Sequence, residues 1–248
     1  MSRRVFVAGA AGVIGRRLTP LLVLRGYEVI GTTRSADKAP RIEALGAKAA
    51  VVDVFDAAAL THAVSRARPE VVIHQLTDLP PRLDPARMAQ ALEANARIRR
   101  EGTHNLVAAA VAAGVTRLIA QSIAWVYAPG RTPHVESDPL DLGATGTRAI
   151  TVNGVAALED AVLQHPRIGG VVLRYGRLYG PGTGVSDAAR DADIGVHVDA
   201  AAHAALLAID RGSGAYNVAD SDAFVSCAKA RRELGWDPAM RLEADAAY

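Results

Sequence analysis

The stretch Gly9-Ala-Ala-Gly12-Val-Ile-Gly15 follows directly on the apolar run Val5-Phe6-Val7-Ala8 and opens a segment with helical periodicity. This order predicts a first strand and a first helix that are joined by a nucleotide-binding turn. Gly9 permits the tight turn, Gly12 lets the backbone approach a pyrophosphate, and Gly15 lets the helix pack against the strand. The helix N-terminus supplies amide donors, so the turn predicts a bound dinucleotide. The other residues predicted to line it are Ala11, Val13 and Ile14.

Length and composition limit the classes of protein that need to be considered. A chain of 248 residues can bury a sizeable core, and we expect a single domain over residues 1–248. The net charge of +2 and the scattered arginines argue against a nucleic-acid partner. The one cysteine, Cys227, excludes an internal disulfide and a multi-cysteine metal site, and we expect no bound metal.

Two features of the sequence bear on location. No apolar run approaches the roughly 18 residues of a membrane span, so no membrane partner is expected. Met1 leads straight into Ser2-Arg3-Arg4 and the first strand, which predicts no cleavable signal peptide and a cytoplasmic protein.

Short β-branched runs alternate with longer alanine-rich segments along the chain. Continuous apolar runs such as Val71-Val72-Ile73 favour a parallel sheet that is covered on both faces. The pattern therefore predicts an α/β fold with a doubly wound parallel sheet, the Rossmann fold. One long helix is expected from Pro85 to Gly114, and Asp56 is expected to cap another. The strands are predicted near residues 4–8, 28–33, 49–52, 70–76, 116–121 and 169–174.

The end of the second strand indicates which nicotinamide cofactor fits. An NAD site has an acidic residue there, which accepts hydrogen bonds from the ribose hydroxyls. This chain has Thr33, Arg34 and Ser35 instead, with Lys38 close behind and Arg16 adding positive charge. These residues favour NADP over NAD because they can bind a 2′-phosphate and do not repel it. The alternative is that Arg34 and Lys38 are solvated loop charges.

Further segments occur in an order that is specific to one group of enzymes. They are Val52-Asp53-Val54, Val72-Ile73-His74, Gly102-Thr103, Gln121-Ser122, Val126-Tyr127, Arg174-Tyr175-Gly176, Tyr179-Gly180-Pro181-Gly182, His197-Val198-Asp199, Tyr216-Asn217-Val218 and Leu234-Gly235-Trp236. With the glycine turn, they make nearly the whole chain resemble the extended short-chain dehydrogenase/reductase superfamily, the branch of NAD-dependent epimerases and dehydratases.

The resemblance implies roles for matched residues. Asp53 and Val54 would hold the adenine, although Asp53 is also a candidate loop or capping residue. The backbone at the end of the fourth strand would line the pyrophosphate and ribose, with His74 packed rather than catalytic. Tyr175 lies where the family places the nicotinamide end of the cofactor. The residues predicted after His74 are Gln75, Leu76 and Thr77.

The chain departs from the family at the groups that transfer protons. The reductase reaction uses a tyrosine and, four residues later, a lysine, but no Tyr-x-x-x-Lys occurs here. Alignment with the family pattern puts Thr151 at the tyrosine position and Val155 at the lysine position. Ile123 replaces the usual serine or threonine, with Ser122 adjacent. We therefore predict Tyr127 and Ser122 as the catalytic residues, with Tyr127 equally a candidate packing aromatic.

The substrate half of the chain is short for the family, with cleft segments near 125–146 and 175–196 and a small C-terminal part at 214–248. One interpretation is an NADP-dependent reductase or dehydrogenase of a small carbonyl or alcohol substrate, in which Tyr127, Tyr175 or Tyr179 supplies the acid. The alternatives are an NADP-binding sensor or scaffold without turnover, and a non-redox lyase, isomerase or cyclase on the same fold. The sequence leaves a homodimer open.

Overall fold

The computed structural model of the chain describes residues 3–80 and 85–242. Its strands are β1 (Arg4–Ala8), β2 (Glu28–Thr33), β3 (Lys48–Val51), β4 (Val71–His74), β5 (Arg117–Ile123), β6 (Gly169–Tyr175), β7 (Arg177–Tyr179), β8 (Gly195–His197) and β9 (Gly214–Val218). Its α-helices are α1 (Val13–Leu24), α2 (Ala39–Ala44), α3 (Ala57–Ala67), α4 (Met88–Arg97), α5 (Thr103–Ala112), α6 (Gly146–Leu163) and α7 (Val198–Leu207). Among the described residues, no helix has the length and apolar character that crossing a membrane requires.

Seven strands form one parallel sheet in the order β3-β2-β1-β4-β5-β6-β9. The chain runs outward from β1 in one direction through β2 and β3, and in the other direction from β4 onward. The crevice between β1 and β4 is thus the topological switch point, where open α/β sheets bind their ligands. The predicted α/β class and doubly wound parallel sheet are confirmed.

Alternation along the central strands explains why helices cover both faces. Val5 and Val7 of β1 pack in one cluster with Leu18 and Leu22 of α1. Phe6 of β1 faces the other way and packs in a second cluster with residues of α3, α5 and α6. A strand that is buried on both faces reads as a continuous apolar run, which is the pattern that predicted it.

Three local features differ from the sequence prediction or refine it. The segment expected as one helix from Pro85 to Gly114 contains a π-helical turn at Ile98–Gly102, between α4 and α5. The edge strand β9 was not among the predicted strands, because its five residues are too few to show a clear period. Asp56 does cap α3, since its Oδ1 accepts a hydrogen bond from the Ala59 amide at 2.9 Å.

Candidate functional site

The glycine turn lies at the carboxyl end of β1. Gly9 has a φ of +92°, and a Cβ there would lie 2.7 Å from the Gln75 carbonyl oxygen. Gly12 is exposed and precedes α1, whose first turn has no side-chain cap and no acidic residue. A side chain on Gly15 would overlap the Gly9 carbonyl oxygen. This geometry fits a pyrophosphate, because the first amides of α1 have no side-chain cap and remain available as donors. Also in this turn are Ala11 and Val13, which are half-buried, and Ile14, which is buried.

The residues predicted to hold a 2′-phosphate follow β2. The Thr33 hydroxyl donates to the Ser35 carbonyl at 3.2 Å and accepts from the Ser35 amide at 3.1 Å, so it shapes the turn. The Lys38 amide donates to the same carbonyl, and Lys38 itself is exposed. Arg34 donates to both carboxylate oxygens of Asp78, at 2.7 and 3.3 Å, and this pairing raises the pKa of Arg34.

Asp78 is a site residue that sequence reasoning missed. Its amide donates to Asn95 Oδ1 at 3.3 Å, which ties the loop after β4 to α4. Its carboxylate reaches across to Arg34, and the two side chains are 36% and 58% exposed. The signal available in the sequence was an acidic residue four positions beyond His74, the end of β4. A negative charge here would compete with the predicted 2′-phosphate for Arg34.

The candidate adenine residues lie just beyond β3. Asp53 is exposed, and its Oδ1 accepts a hydrogen bond from the Phe55 amide at 2.9 Å. Val54 is buried, and its carbonyl accepts from Asn105 Nδ2 at 3.0 Å. Asp53 thus has the local turn role considered from the sequence.

The loop after β4 lies directly beneath the glycine turn. The Gln75 amide donates to the last carbonyl of β1 at 2.8 Å, which extends the pairing of the two strands. The Leu76 amide donates to His74 Nδ1 at 3.2 Å, so His74 carries its proton on Nε2 and donates to Thr103 Oγ1 at 2.9 Å. Burial lowers the pKa of His74 to about 4. His74 is therefore a neutral residue that holds this loop, and Thr77 beyond it is exposed.

Tyr175 ends β6 at the same edge of the sheet. It is 2% exposed, and its hydroxyl has no hydrogen-bond partner within the described ranges. The Gln75 side-chain amide, 4% exposed, is equally without a partner there. Burial raises the pKa of Tyr175, and the nearby Gln75 side chain opposes this rise. Two buried polar side chains with unused donors and acceptors therefore lie at the end expected for the nicotinamide.

Ser122 belongs to a buried ionic network behind β5 and β6. Arg174 donates from Nη2 and Nε to the two carboxylate oxygens of Glu159, at 2.6 and 3.0 Å. Both side chains are 6% exposed. The Ser122 hydroxyl donates to Glu159 Oε1 at 2.8 Å, and Ser122 is itself buried. Its hydroxyl therefore completes the hydrogen bonding of a buried carboxylate.

Tyr127 joins the same network. It is 3% exposed; its hydroxyl donates to Asn217 Oδ1 at 2.6 Å and accepts from Arg174 Nη1 at 2.7 Å. The ring stacks on His134 with 4.9 Å between centroids. Burial raises the pKa of Tyr127 to about 12. This geometry argues against Tyr127 and Ser122 as proton donors, and their catalytic role stays a prediction.

No ionisable side chain stands at the positions that the resemblance assigns to catalysis. Thr151 is half-buried, and its hydroxyl donates to a carbonyl one turn earlier in α6 at 3.5 Å. Val155 and Ile123 are buried. Tyr179, another candidate acid, donates to Asp220 Oδ2 at 2.5 Å, and burial raises its pKa to about 12.

Comparisons with known proteins agree with this fold. A model of the NAD dependent epimerase/dehydratase family matches residues 5–194. The chain is 42% identical over 242 residues to a 3-diazoavenalumate denitrifying reductase of a Streptomyces species, covering 88% of this chain and 76% of that protein. It is 32% identical over 180 residues to a dTDP-4-dehydrorhamnose reductase of Streptomyces griseus. That match covers 72% of this chain and 51% of the relative, about half its length.

Solved structures of low identity share the fold. A UDP-glucose 4-epimerase of Thermotoga maritima, solved with UDP-glucose, superposes with a TM-score of 0.77 at 19% identity, covering 98% of this chain and 96% of that one. A UDP-glucose 4-epimerase of Thermus thermophilus, solved with NAD, gives 0.74 at 21% identity, with coverage of 98% and 96%. The relatives' names as reductases fit an oxidoreductase-type enzyme, and the chain belongs to the NAD dependent epimerase/dehydratase family.

Proposed function

We propose that the protein is an NADP-dependent reductase whose substrate takes up a hydride without a proton from the enzyme. The observation that carries this proposal is the absence of any Tyr-x-x-x-Lys from the sequence. A carbonyl that accepts a hydride becomes an alkoxide and needs a proton donor. Thr151 and Val155 stand where that donor and its lysine are expected, and neither can perform the task.

A diazo compound in its diazonium form is a substrate class that fits this site. The relative at 42% identity is named as a denitrifying reductase of 3-diazoavenalumate. In the net reaction, R–N₂⁺ and hydride give R–H and N₂: a C–H bond forms from the hydride pair, and the C–N pair leaves with nitrogen. The charges cancel, and no proton is consumed. When bound, the reduced cofactor supplies the hydride, and the protein's task is binding and orientation.

The residues that would hold the cofactor are those of the switch-point crevice. The glycine turn binds the pyrophosphate, Asp53 and Val54 hold the adenine, and Tyr175 borders the nicotinamide. NADP is favoured over NAD because Thr33, Arg34 and Ser35 replace the acidic strand end. Asp78 opposes this preference, but its exposed ion pair with Arg34 is worth only about 0–1 kcal/mol, so a phosphate can displace it.

A second candidate is reduction of a carbonyl group. The relative named dTDP-4-dehydrorhamnose reductase supports this candidate. Carbonyl reduction requires one of the buried tyrosines to reach the substrate.

The cytoplasmic location, the single domain, the absence of a metal and a possible homodimer remain predictions. A sensor without turnover and a non-redox enzyme are the remaining alternatives.

Loss of NADPH absorbance separates these functions. Purified protein would be mixed with NADPH and either 3-diazoavenalumate or an aromatic aldehyde, with enzyme-free mixtures as controls because diazonium ions react with NADPH alone. We expect enzyme-dependent oxidation with the diazo compound and not with the aldehyde. Faster oxidation with the aldehyde would favour the carbonyl reductase, and no oxidation with any substrate would favour the sensor.

A further inference from the structure

Arg99 is a buried cation outside the candidate site residues named above. It lies in the π-helical turn Ile98–Gly102 and is 8% exposed. No residue in the described part of the chain hydrogen-bonds or ion-pairs with its guanidinium. Burial lowers the pKa of Arg99 to about 10. A buried charge without a partner is costly to a folded protein, and π-helical turns are frequent at functional sites.

The position of Arg99 relates it to the candidate cofactor crevice. Asn95, one turn earlier on the same helical face, accepts a hydrogen bond from the amide of Asp78 in the loop after β4. On the facing helix α6, a Cβ on Gly154 would lie 3.5 Å from Arg99 Cδ. The residue after Gly154 is Val155, at the position where the resemblance places a lysine. Arg99 thus lies between the loop beneath the glycine turn and the site of the missing lysine.

The charged groups around Arg99 do not balance. Glu159 is the acidic group whose charge Arg99 senses, but both carboxylate oxygens of Glu159 already accept hydrogen bonds from Arg174. His74, which also faces Arg99, is neutral. The guanidinium groups of Arg99 and Arg174 share the single carboxylate of Glu159, so one positive charge is not neutralised. This excess charge favours a ligand rich in hydrogen-bond acceptors beside Arg99.

We propose that Arg99 is a cofactor-binding residue whose guanidinium donates hydrogen bonds to the ribose hydroxyls of the nicotinamide half of NADP(H). It supplies, from the π-helical turn after α4, the cation that the family supplies from α6. Because this assignment rests on the proposed cofactor, binding of NADPH by the unaltered protein is measured first. Failure of that binding overturns the proposed cofactor, whereas the variants below test Arg99 alone.

The test compares Arg99→Met with Arg100→Met, an exposed arginine of the same turn. Calorimetric titration uses NADPH and adenosine 2′,5′-bisphosphate, which lacks the nicotinamide half. For Arg99→Met we expect about tenfold weaker binding of NADPH, or about 1.4 kcal/mol, and unchanged binding of the bisphosphate. Arg100→Met should bind both ligands as the unaltered protein does.

Thermal unfolding of the ligand-free variants separates binding from structure. Because the charge lost in Arg99→Met has no partner within residues 3–80 and 85–242, the melting temperature of this variant should equal or exceed that of the unaltered protein. Arg99→Gln, which remains polar, should show the same selective loss of NADPH. Equal NADPH affinity in the Arg99 and Arg100 variants, parallel loss of both ligands, or failure of both Arg99 variants to fold would overturn the proposal.

Discussion

Arg34 and Asp78 form an exposed ion pair at the position where we propose that the 2′-phosphate of NADP binds. The sequence predicted Arg34 from its place after β2, because strand ends in this fold meet the ribose. It could not reveal Asp78 as the partner, because the two residues follow different strands, β2 and β4, and are 44 positions apart. The pair is exposed, so its exchange for a phosphate costs little.

Substitutions at this pair should move cofactor preference in opposite directions. Arg34→Ala should weaken the binding of NADPH by about tenfold relative to that of NADH, since the cation that would face the 2′-phosphate is lost. Asp78→Asn should strengthen the binding of NADPH and leave the binding of NADH nearly unchanged, because the competing carboxylate is gone. Calorimetric titration of both cofactors would measure this; an unchanged NADPH to NADH ratio in both variants would contradict it.

The hydrogen-bond partners of Tyr127 and Ser122 could not be predicted from the position of these residues at the end of a strand. Both lie near the carboxyl end of β5, as the prediction required, yet their hydroxyls bond to Asn217 and Glu159. These partners lie 90 and 37 residues further along the chain. Tertiary packing therefore decided the direction of each hydroxyl, and no local pattern encodes it.

Tyr127→Phe should lower stability more than turnover. The change leaves Asn217 and Arg174 with an unmet hydrogen bond in a buried site, which costs about 1–3 kcal/mol of the free energy of unfolding. Turnover should fall by less than about tenfold, too little for loss of a general acid. Urea denaturation and steady-state kinetics measure the two effects. A larger loss of turnover with unchanged stability would restore Tyr127 to the mechanism.

At the scale of elements, local sequence patterns predicted most of the strands and helices near the glycine turn. The first strand and first helix on either side of the glycine turn were predicted correctly, because both lie within residues 4–24. The π-helical turn at Ile98–Gly102 was missed, since its residues fit a helical pattern equally well. The edge strand β9 was missed because it is defined mainly by its hydrogen-bonded pairing with β6, which a local sequence pattern does not show.

Gly12→Val should abolish cofactor binding and leave the fold intact. Gly12 has a φ of −77°, which valine tolerates, and a Cβ there would lie 3.1 Å from the Gly9 carbonyl oxygen, on the exposed side of the turn. The added side chain would occupy the space of the pyrophosphate. Gly143→Val, at an open position, is the control. Circular dichroism and NADPH titration would check both, and normal NADPH affinity in Gly12→Val would refute the site.

At the scale of the whole molecule, the order of strands places the crevice. The alternating pattern of the sequence predicted the fold class because parallel strands buried on both faces are continuously apolar. The strand order then brings the ends of β1, β2 and β4 together. His74 secures the last of these ends through Thr103 and Leu76, in its neutral form.

This neutral histidine predicts loss of stability in acid. The pKa of His74 is about 4 in the fold against 6.5 unfolded, so the unfolded chain binds the proton first. The stabilisation that comes from keeping His74 neutral is fully present above pH 6.5. The free energy of unfolding then declines by about 3 kcal/mol in total as the pH falls toward 4. Urea denaturation from pH 7.5 to 4 would measure it. The variant His74→Asn should lose less stability over this interval; an identical decline would contradict the assignment.

The most direct test of the proposed function is the balance of nitrogen and cofactor. Protein, NADPH and ¹⁵N₂-labelled 3-diazoavenalumate would be followed together by absorbance and by mass spectrometry of released ¹⁵N₂, with enzyme-free rates subtracted. Hydride replacement of the diazo group predicts about one N₂ for each NADPH oxidised, at a rate that Arg99→Met lowers. NADPH oxidation without N₂ release, or N₂ release without NADPH oxidation, would contradict it.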